Sequence, residues 1–269
     1  MPGMRIAVTD KEQIETVLRR DVGLHVYEIG DLDPFFWPHT RWYSWRAGPD
    51  DEVQAMCLLY TATDPITLLA LCAADELEPM TQLLRDLDPE LPARVYAHLA
   101  PGLFDHLAGR WRGDSHGRHL KLMLTDPAAL DAGAADARSP VVPIGAEDLA
   151  AVQRFYDEHY PGNWFDARML GTGQYRGVRR GDDWLAVAGV HVYSPLYRVA
   201  ALGNIAVAAA HRGQGLGRAV TAAVCHALRP GIEVIGLNVH QDNAAARRCY
   251  EGLGFTTAGA YDEILLERR

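Results

Sequence analysis

A chain of 269 residues is long enough for two domains of ordinary size. Its 48% hydrophobic and 23% charged content is that of a globular protein, and no apolar run approaches the roughly 18 residues needed to cross a membrane. The net charge of −9 disfavours a nucleic-acid partner, because neutralising phosphates takes a basic face.

The N-terminus, "MPGMRIAVTDKEQ", has neither the basic start nor the apolar core of a secretory signal, so the expected location is cytoplasmic. In chain order the first half then reads as a strand at "MRIAVT" and a helix from Lys11 to about Arg20. Strands follow near Arg41 to Trp45, Val53 to Tyr60 and Ile66 to Cys72, and then a helix from Glu76 to Leu87. "RVYAHL", a helix near Leu103 to Trp111 and "HLKLMLT" complete this half. "TDPAALDAGAADARSP", Thr125 to Pro140, lacks sustained apolar periodicity and reads as a solvated linker.

The second half opens with a strand at "PVVPIG" and a helix from Glu147 to His159 that places Leu149, Val152, Phe155 and Tyr156 on one face. The loop "YPGNW" and a short helical piece from Phe165 to Leu170 lead to strands at "QYRGVRR", "WLAVAGVHVY" and "VAALGNIAV". Leu216, Val220, Val224 and Leu228 mark a helix that Pro230-Gly231 ends, and "IEVIGLNVH" is another strand. Asn243 caps a last helix, "AAARRCYEGL", and two further strands, "FTTAGAY" and "EILLERR", close the chain. The two halves share one order of elements, a mixed α/β pattern. The expected division is therefore residues 1–126, a linker over 127–140 and a complete domain over 141–269.

Between the strand "VAALGNIAV" and the helix at Leu216 lies "HRGQGLG". A helix start presents unpaired N–H groups and the positive end of the helix dipole, which suits a phosphate. Gly213, Gly215 and Gly217 let the backbone approach such an anion, and Arg212 and Arg218 can add charge-assisted contacts. The spacing is neither GxxxxGK with Ser or Thr nor GxGxxG, so the common nucleotide loops are set aside. The equivalent junction of the first half, "LCAADELEPM", carries Asp75, Glu76 and Glu78, which repel an anion. Cys57, Cys72, Cys225 and Cys249 sit in apolar stretches without CxxC spacing; reduced thiols are expected, and no metal site.

"RGQGLG" after an apolar strand, with "NAAARRCYEGLGF" further on, resembles the GCN5-related N-acetyltransferase (GNAT) superfamily and its Q/R-x-x-G-x-G/A signature. The resemblance covers Val141 to Arg269, and the first half looks like a degenerate copy of the same fold, so two tandem GNAT-like domains are expected. It implies acetyl-CoA as cosubstrate, its pantetheine arm along a bulged strand at Ile205, Ala206 and Val207. The pyrophosphate would lie on Arg212, Gly213, Gln214, Gly215, Leu216, Gly217 and Arg218. Asn238 would end the strand that splays from the bulged one, and Asn243 and Ala246 would begin the helix beside the coenzyme.

The implied reaction is acetyl transfer to a primary amine, by direct attack in a ternary complex. It needs a neutral nucleophile, oxyanion stabilisation and a proton for the departing thiolate. Tyr250 matches the position of the family's general acid. The base is less defined, since "VAALGNIAV" has no carboxylate where the family often has a glutamate. His240, on the strand face of Asn238, is the first choice; His191 is the second, and Glu158 or His159 beside "YPGNW" the third. The missing carboxylate keeps two alternatives in view: a CoA-binding sensor or interaction module without turnover, and an enzyme for a longer acyl-CoA. The acceptor amine, and whether the protein is a homodimer, are left open by the sequence.

The remaining features carry less. The aromatic stretch Asp33 to Trp45 reads first as core or interface, whereas Tyr160 to Phe165 borders the implied acceptor cleft. Arg176, Arg179 and Arg180 read as a solvated strand face.

Overall fold

A computed structural model describes residues 3–134 and 140–269. Its elements in chain order are β1 (Met4–Val8), α1 (Lys11–Leu18), α2 (Val26–Gly30), β2 (Thr40–Arg46), β3 (Ala55–Tyr60), β4 (Thr67–Ala70), α3 (Leu77–Leu87), β5 (Arg94–Leu99), β6 (Trp111–Leu124) and α4 (Pro127–Ala134). Then come β7 (Val142–Ile144), α5 (Leu149–His159), β8 (Tyr175–Arg180), β9 (Asp183–Ser194), β10 (Val199–Val207), α6 (Leu216–Leu228), β11 (Val234–His240), α7 (Ala244–Glu251) and β12 (Phe255–Arg268). The order and mixed α/β class match those expected from the sequence.

The chain forms two compact units. One comprises Met1–Lys121 with Ala258–Arg269, the other Leu122–Thr257. The sequence-based boundaries differ from these in one respect with consequences: the end of the chain belongs with its beginning. β12 pairs antiparallel with β5, from Asp262 opposite Leu99 to Glu267 opposite Arg94, and Ile264 and Leu266 enter the core built by α3, β4 and β5.

Each unit repeats one pairing pattern. In the first, β1, β2, β3 and β4 are successively antiparallel and β4 runs parallel to β5. In the second, β7, β8, β9 and β10 are successively antiparallel and β10 runs parallel to β11. A tandem repeat of one fold follows from this register.

Four local expectations are corrected. The stretch taken as solvated linker includes α4, whose Leu130 is fully buried and whose Asp131 accepts from Arg229 at 2.7 Å, so its alanines serve helix propensity; residues 135–139 lie outside the described residues. "FTTAGAY" and "EILLERR" form one strand, because Asp262 between them continues the ladder and takes two bonds from Arg118, at 2.7 and 3.0 Å. The helix expected from Leu103 is a single 3₁₀ turn to His106, and Trp111 already begins β6. Finally, α2 has no counterpart in the sequence reading: it is five residues long, too short for a periodic signal.

The aromatic stretch of the first half fills that unit: Phe36 and Trp42 are buried and Tyr43 and Trp45 pack on its core cluster. At the start of α3, Glu76 turns back and accepts from the N–H of Ala73 at 3.0 Å, so a carboxylate of the chain itself takes a donor there. A cavity of about 1060 Å³ adjoins it, lined among others by Asp51, Glu52, Asp75, Glu76 and Glu78.

Candidate active site

The site of the second unit begins with how two parallel strands part. β10 and β11 are paired from Val199 opposite Val234 to Leu202 opposite Leu237, and no further. Just beyond, Gly203 faces Gly189 and Ala206 faces Val187 on β9, so Asn204 and Ile205 together oppose Ala188. That is a β-bulge, which bends its strand and leaves backbone groups out of the ladder. Asn204 takes a left-handed φ of 54°. Asn238 is one residue past the last paired position on β11. Ile205 lies within this bulge, and Ala206 and Val207 follow it on β10, paired with Val187 and Ala186.

The glycine loop lies at the end of β10. Gly213 and Gly215 have φ of 74° and 81°, values that favour glycine, and the space a Cβ would fill at either is open. Gly215 is the N-cap of α6, with no side-chain cap and no acidic residue in the first turn. The first N–H groups of the helix, from Leu216 and Gly217 on, therefore have no side-chain cap, the arrangement that suits an anion. Arg212 bonds the Val207 carbonyl at 3.4 Å and Gln214 that of Ala210 at 3.4 Å, which closes the loop on itself. Arg218 reaches across to the Gly252 carbonyl at 2.8 Å and ties α6 to the end of α7. Asn243 caps α7 through Ala246, whose N–H it occupies at 3.1 Å.

Tyr250 lies on α7, buried, with its ring 6.2 Å from that of Phe255. Burial pushes its hydroxyl above the ordinary tyrosine range, and neighbouring Cys249 and Tyr160 push the same way. The group is thus fully protonated at neutral pH. Of the two histidines, His191 lies against the bulge: a Cβ on Gly203 would run into its ring. Burial lowers its pKa to about 4, so the neutral imidazole is the resting form. His240 stands at the end of β11, where its Nδ1 accepts the Asp242 N–H at 3.1 Å. A neutral ring engaged in this way carries its proton on Nε2. Glu158 is exposed, 3.7 Å from His159.

Three residues not singled out by the sequence converge on the bulge. Tyr156 of α5 donates to the Asn204 carbonyl at 2.7 Å, Asn204 donates through Nδ2 to Tyr175 at 3.2 Å, and Tyr175 donates to the Val190 carbonyl at 3.1 Å. The "GN" pair within an apolar strand was the signal available for the bulge. Nothing in the sequence announced the two hydroxyls. The loop after α5 exposes Tyr160 and Trp164, while Phe165 turns inward, 5.1 Å from Tyr156 and 5.8 Å from Tyr175. On β8, Arg179 and Arg180 are exposed as expected, with Arg179 lying over Trp184.

A parting parallel pair, a bulge and an uncapped glycine-led helix fall within one stretch of sequence, and over that stretch the model of the acetyltransferase (GNAT) family matches, at residues 145–255. Residues 145–255 belong to the GNAT family. Members of the family catalyse acyl transfer and generally take acetyl-CoA as cosubstrate. Solved structures extend the likeness in fold to the whole chain. A Drosophila protein aligns over 97% of this chain and 98% of its own, at 13% identity and a TM-score of 0.66. A GCN5-related N-acetyltransferase from Sphaerobacter thermophilus covers 98% and 95% at 12% identity and 0.58. A tandem GNAT protein from the clavulanic acid biosynthesis pathway covers 99% and 98% at 16% identity and 0.57. No relative is found among the curated proteins. The tandem GNAT fold is thus established for the chain. Among the described residues no helix is long and apolar enough to cross a membrane.

Proposed function

We propose that the protein is an acetyl-CoA-dependent N-acetyltransferase with its coenzyme in the second unit and a primary amine as acceptor. The observation that carries this reading is the end of β10–β11 pairing at Leu202 and Leu237, beside a bulge and directly before a helix start left without a cap. A pantetheine arm fits such an edge as an added strand would, along Ile205 to Val207, with pyrophosphate on the loop from Arg212 to Arg218. Asn238, Asn243 and Ala246 border the same opening.

Direct attack by the amine on the thioester then needs a proton acceptor and a proton donor. His191 suits the first role better than His240, whose Nδ1 already accepts a backbone N–H. An imidazole with a pKa of about 4 is a weak base. It suffices because an amine nitrogen becomes strongly acidic once bonded to the acyl carbon. Tyr250, always protonated, supplies the proton to the departing thiolate as the carbon–sulfur bond breaks.

Calorimetric titration with acetyl-CoA and with CoA tests the placement, and thiol release across a panel of amines tests the chemistry. Affinity for neither ligand removes the proposal. Affinity without release on a broad panel leaves a CoA-binding module, the reading favoured by the absence of a carboxylate on β10. Comparing acetyl, propionyl and longer donors separates an enzyme of longer acyl groups.

A further inference from the structure

The bulge in β10 is held from outside its own strand. A left-handed φ is unfavourable for a non-glycine residue, and asparagine is among the residues that tolerate it best. At Asn204 that conformation is fixed at two points. Its carbonyl receives the Tyr156 hydroxyl and its amide grips the Tyr175 hydroxyl, which is itself anchored on Val190. All three side chains are buried, Tyr156 at 1% and Asn204 at 4% exposure. Helix α5, the first residue of β8 and the bulge are thereby joined through hydroxyl and amide groups.

Among the described residues Asn204 Oδ1 is buried with no hydrogen-bond partner. A buried polar network that is not fully satisfied calls for a reason to be there. The reason lies in what the bulge must present. With the Asn204 carbonyl engaged by Tyr156, the backbone from Asn204 to Ala206 has one orientation.

We propose that Tyr156, Tyr175 and Asn204 form a brace that fixes this bulge so that its backbone N–H groups are aimed at the thioester carbonyl of the donor. They are positioning residues for acyl transfer and touch neither acyl group nor acceptor. The inference rests on the acetyl-CoA reading above. Burial holds the Tyr156 hydroxyl protonated, so the brace is intact over the whole working pH range.

Tyr156→Phe keeps the ring, which contacts Phe155 and Phe165, and removes only the hydroxyl. Amide hydrogen exchange of the uncomplexed protein should quicken at Ile205 and Ala206 while Val199 to Leu202 stay protected. The preference for acetyl-CoA over CoA should shrink by roughly fivefold to tenfold, the worth of one hydrogen bond to the carbonyl. The infrared carbonyl band of bound carbon-13 acetyl-CoA should move back towards its solution position. If Tyr156→Phe fails to fold, Asn204→Gly keeps the left-handed φ and the Tyr156 bond to the backbone carbonyl but removes the amide's grip on Tyr175, and the same three changes are expected at smaller amplitude.

Unchanged exchange at the bulge overturns the proposal. So does an unchanged preference for acetyl-CoA in a variant that still binds CoA, or equal losses for the two ligands. Should the wild-type protein bind neither, the acetyltransferase reading falls. The exchange experiment, run without coenzyme, still decides whether the brace holds the bulge.

Discussion

At the scale of single residues, the proposed mechanism rests on two groups whose environments pull in opposite directions. Tyr250 is pushed up by burial, so its proton is always present but is given up less readily than an ideal acid would give it. General acid catalysis is worth a factor of ~10² to 10⁴, and this mismatch places Tyr250 near the lower end. Tyr250→Phe is therefore expected to slow single-turnover acetyl transfer about a hundredfold, with the acetyl-CoA dissociation constant nearly unchanged; wild-type rates would reduce the residue to packing. His191 is pushed down to about 4 by burial, so it is the neutral form that the proposed mechanism uses as base. From pH 5 to 8 it stays neutral, so activity should not show an inflection at the ordinary imidazole value near 6.5. The rate should instead follow the fraction of unprotonated acceptor amine and climb towards alkaline pH. A break between pH 6 and 7 in the kcat profile, lost in His191→Gln, would show that the ring titrates normally and that burial does not govern it.

Elements show why parts of this site were legible in the sequence and parts were not. The glycine loop was readable because two left-handed positions, Gly213 and Gly215, leave few alternatives to glycine, and a helix of strict four-residue spacing follows. Asn243 was readable because an N-cap acts within three residues of itself. The parting of β10 from β11 depends on partners some thirty residues away, and no local pattern records where pairing stops. The Tyr156–Asn204 bond spans a still longer separation, and in the sequence Tyr156 is one more apolar position on a helix face. The same contrast explains α4, whose Ala-rich stretch reads as linker until Leu130 is seen buried. Two predictions belong to this scale. Gly215→Val forces a β-branched residue into φ of 81° and puts methyl groups where phosphate would lie; CoA affinity should fall at least tenfold by calorimetry, and undiminished binding would displace the pyrophosphate from this loop. The helix start of the first unit offers Glu76 in place of an anion, so the same titration should give one CoA per chain.

For the whole molecule, the telling fact is that Ala258–Arg269 completes the first unit, so that unit is built from two segments far apart in the sequence. Arg268 shows how that end is held. Its guanidinium lies 4.4 Å over the Trp111 ring, donates to the Asp88 and Leu91 carbonyls at 2.7 and 3.1 Å, and stands 3.3 Å from the Asp88 carboxylate. Asp88 also accepts from Trp111 at 2.7 Å and from Arg110 at 2.8 Å. Burial would raise its pKa, but these donors and the Arg268 charge prevail and hold it below the usual aspartate value. A carboxylate lowered in the folded state contributes stability above its unfolded pKa, near 3.9, and loses it as pH falls through the folded value. Arg268→Ala should accordingly cost about 1–3 kcal/mol at pH 7, the range of charge-assisted hydrogen bonds, measured from urea midpoints and from amide exchange along β5. Part of that cost is Coulombic and vanishes once Asp88 is protonated in the folded state, so the gap between variant and wild type should narrow as pH falls through its lowered folded value. A gap that stays constant from pH 7 down to the acid limit of the folded state would mean that Arg268 acts by covering Trp111, with the Asp88 charge adding nothing.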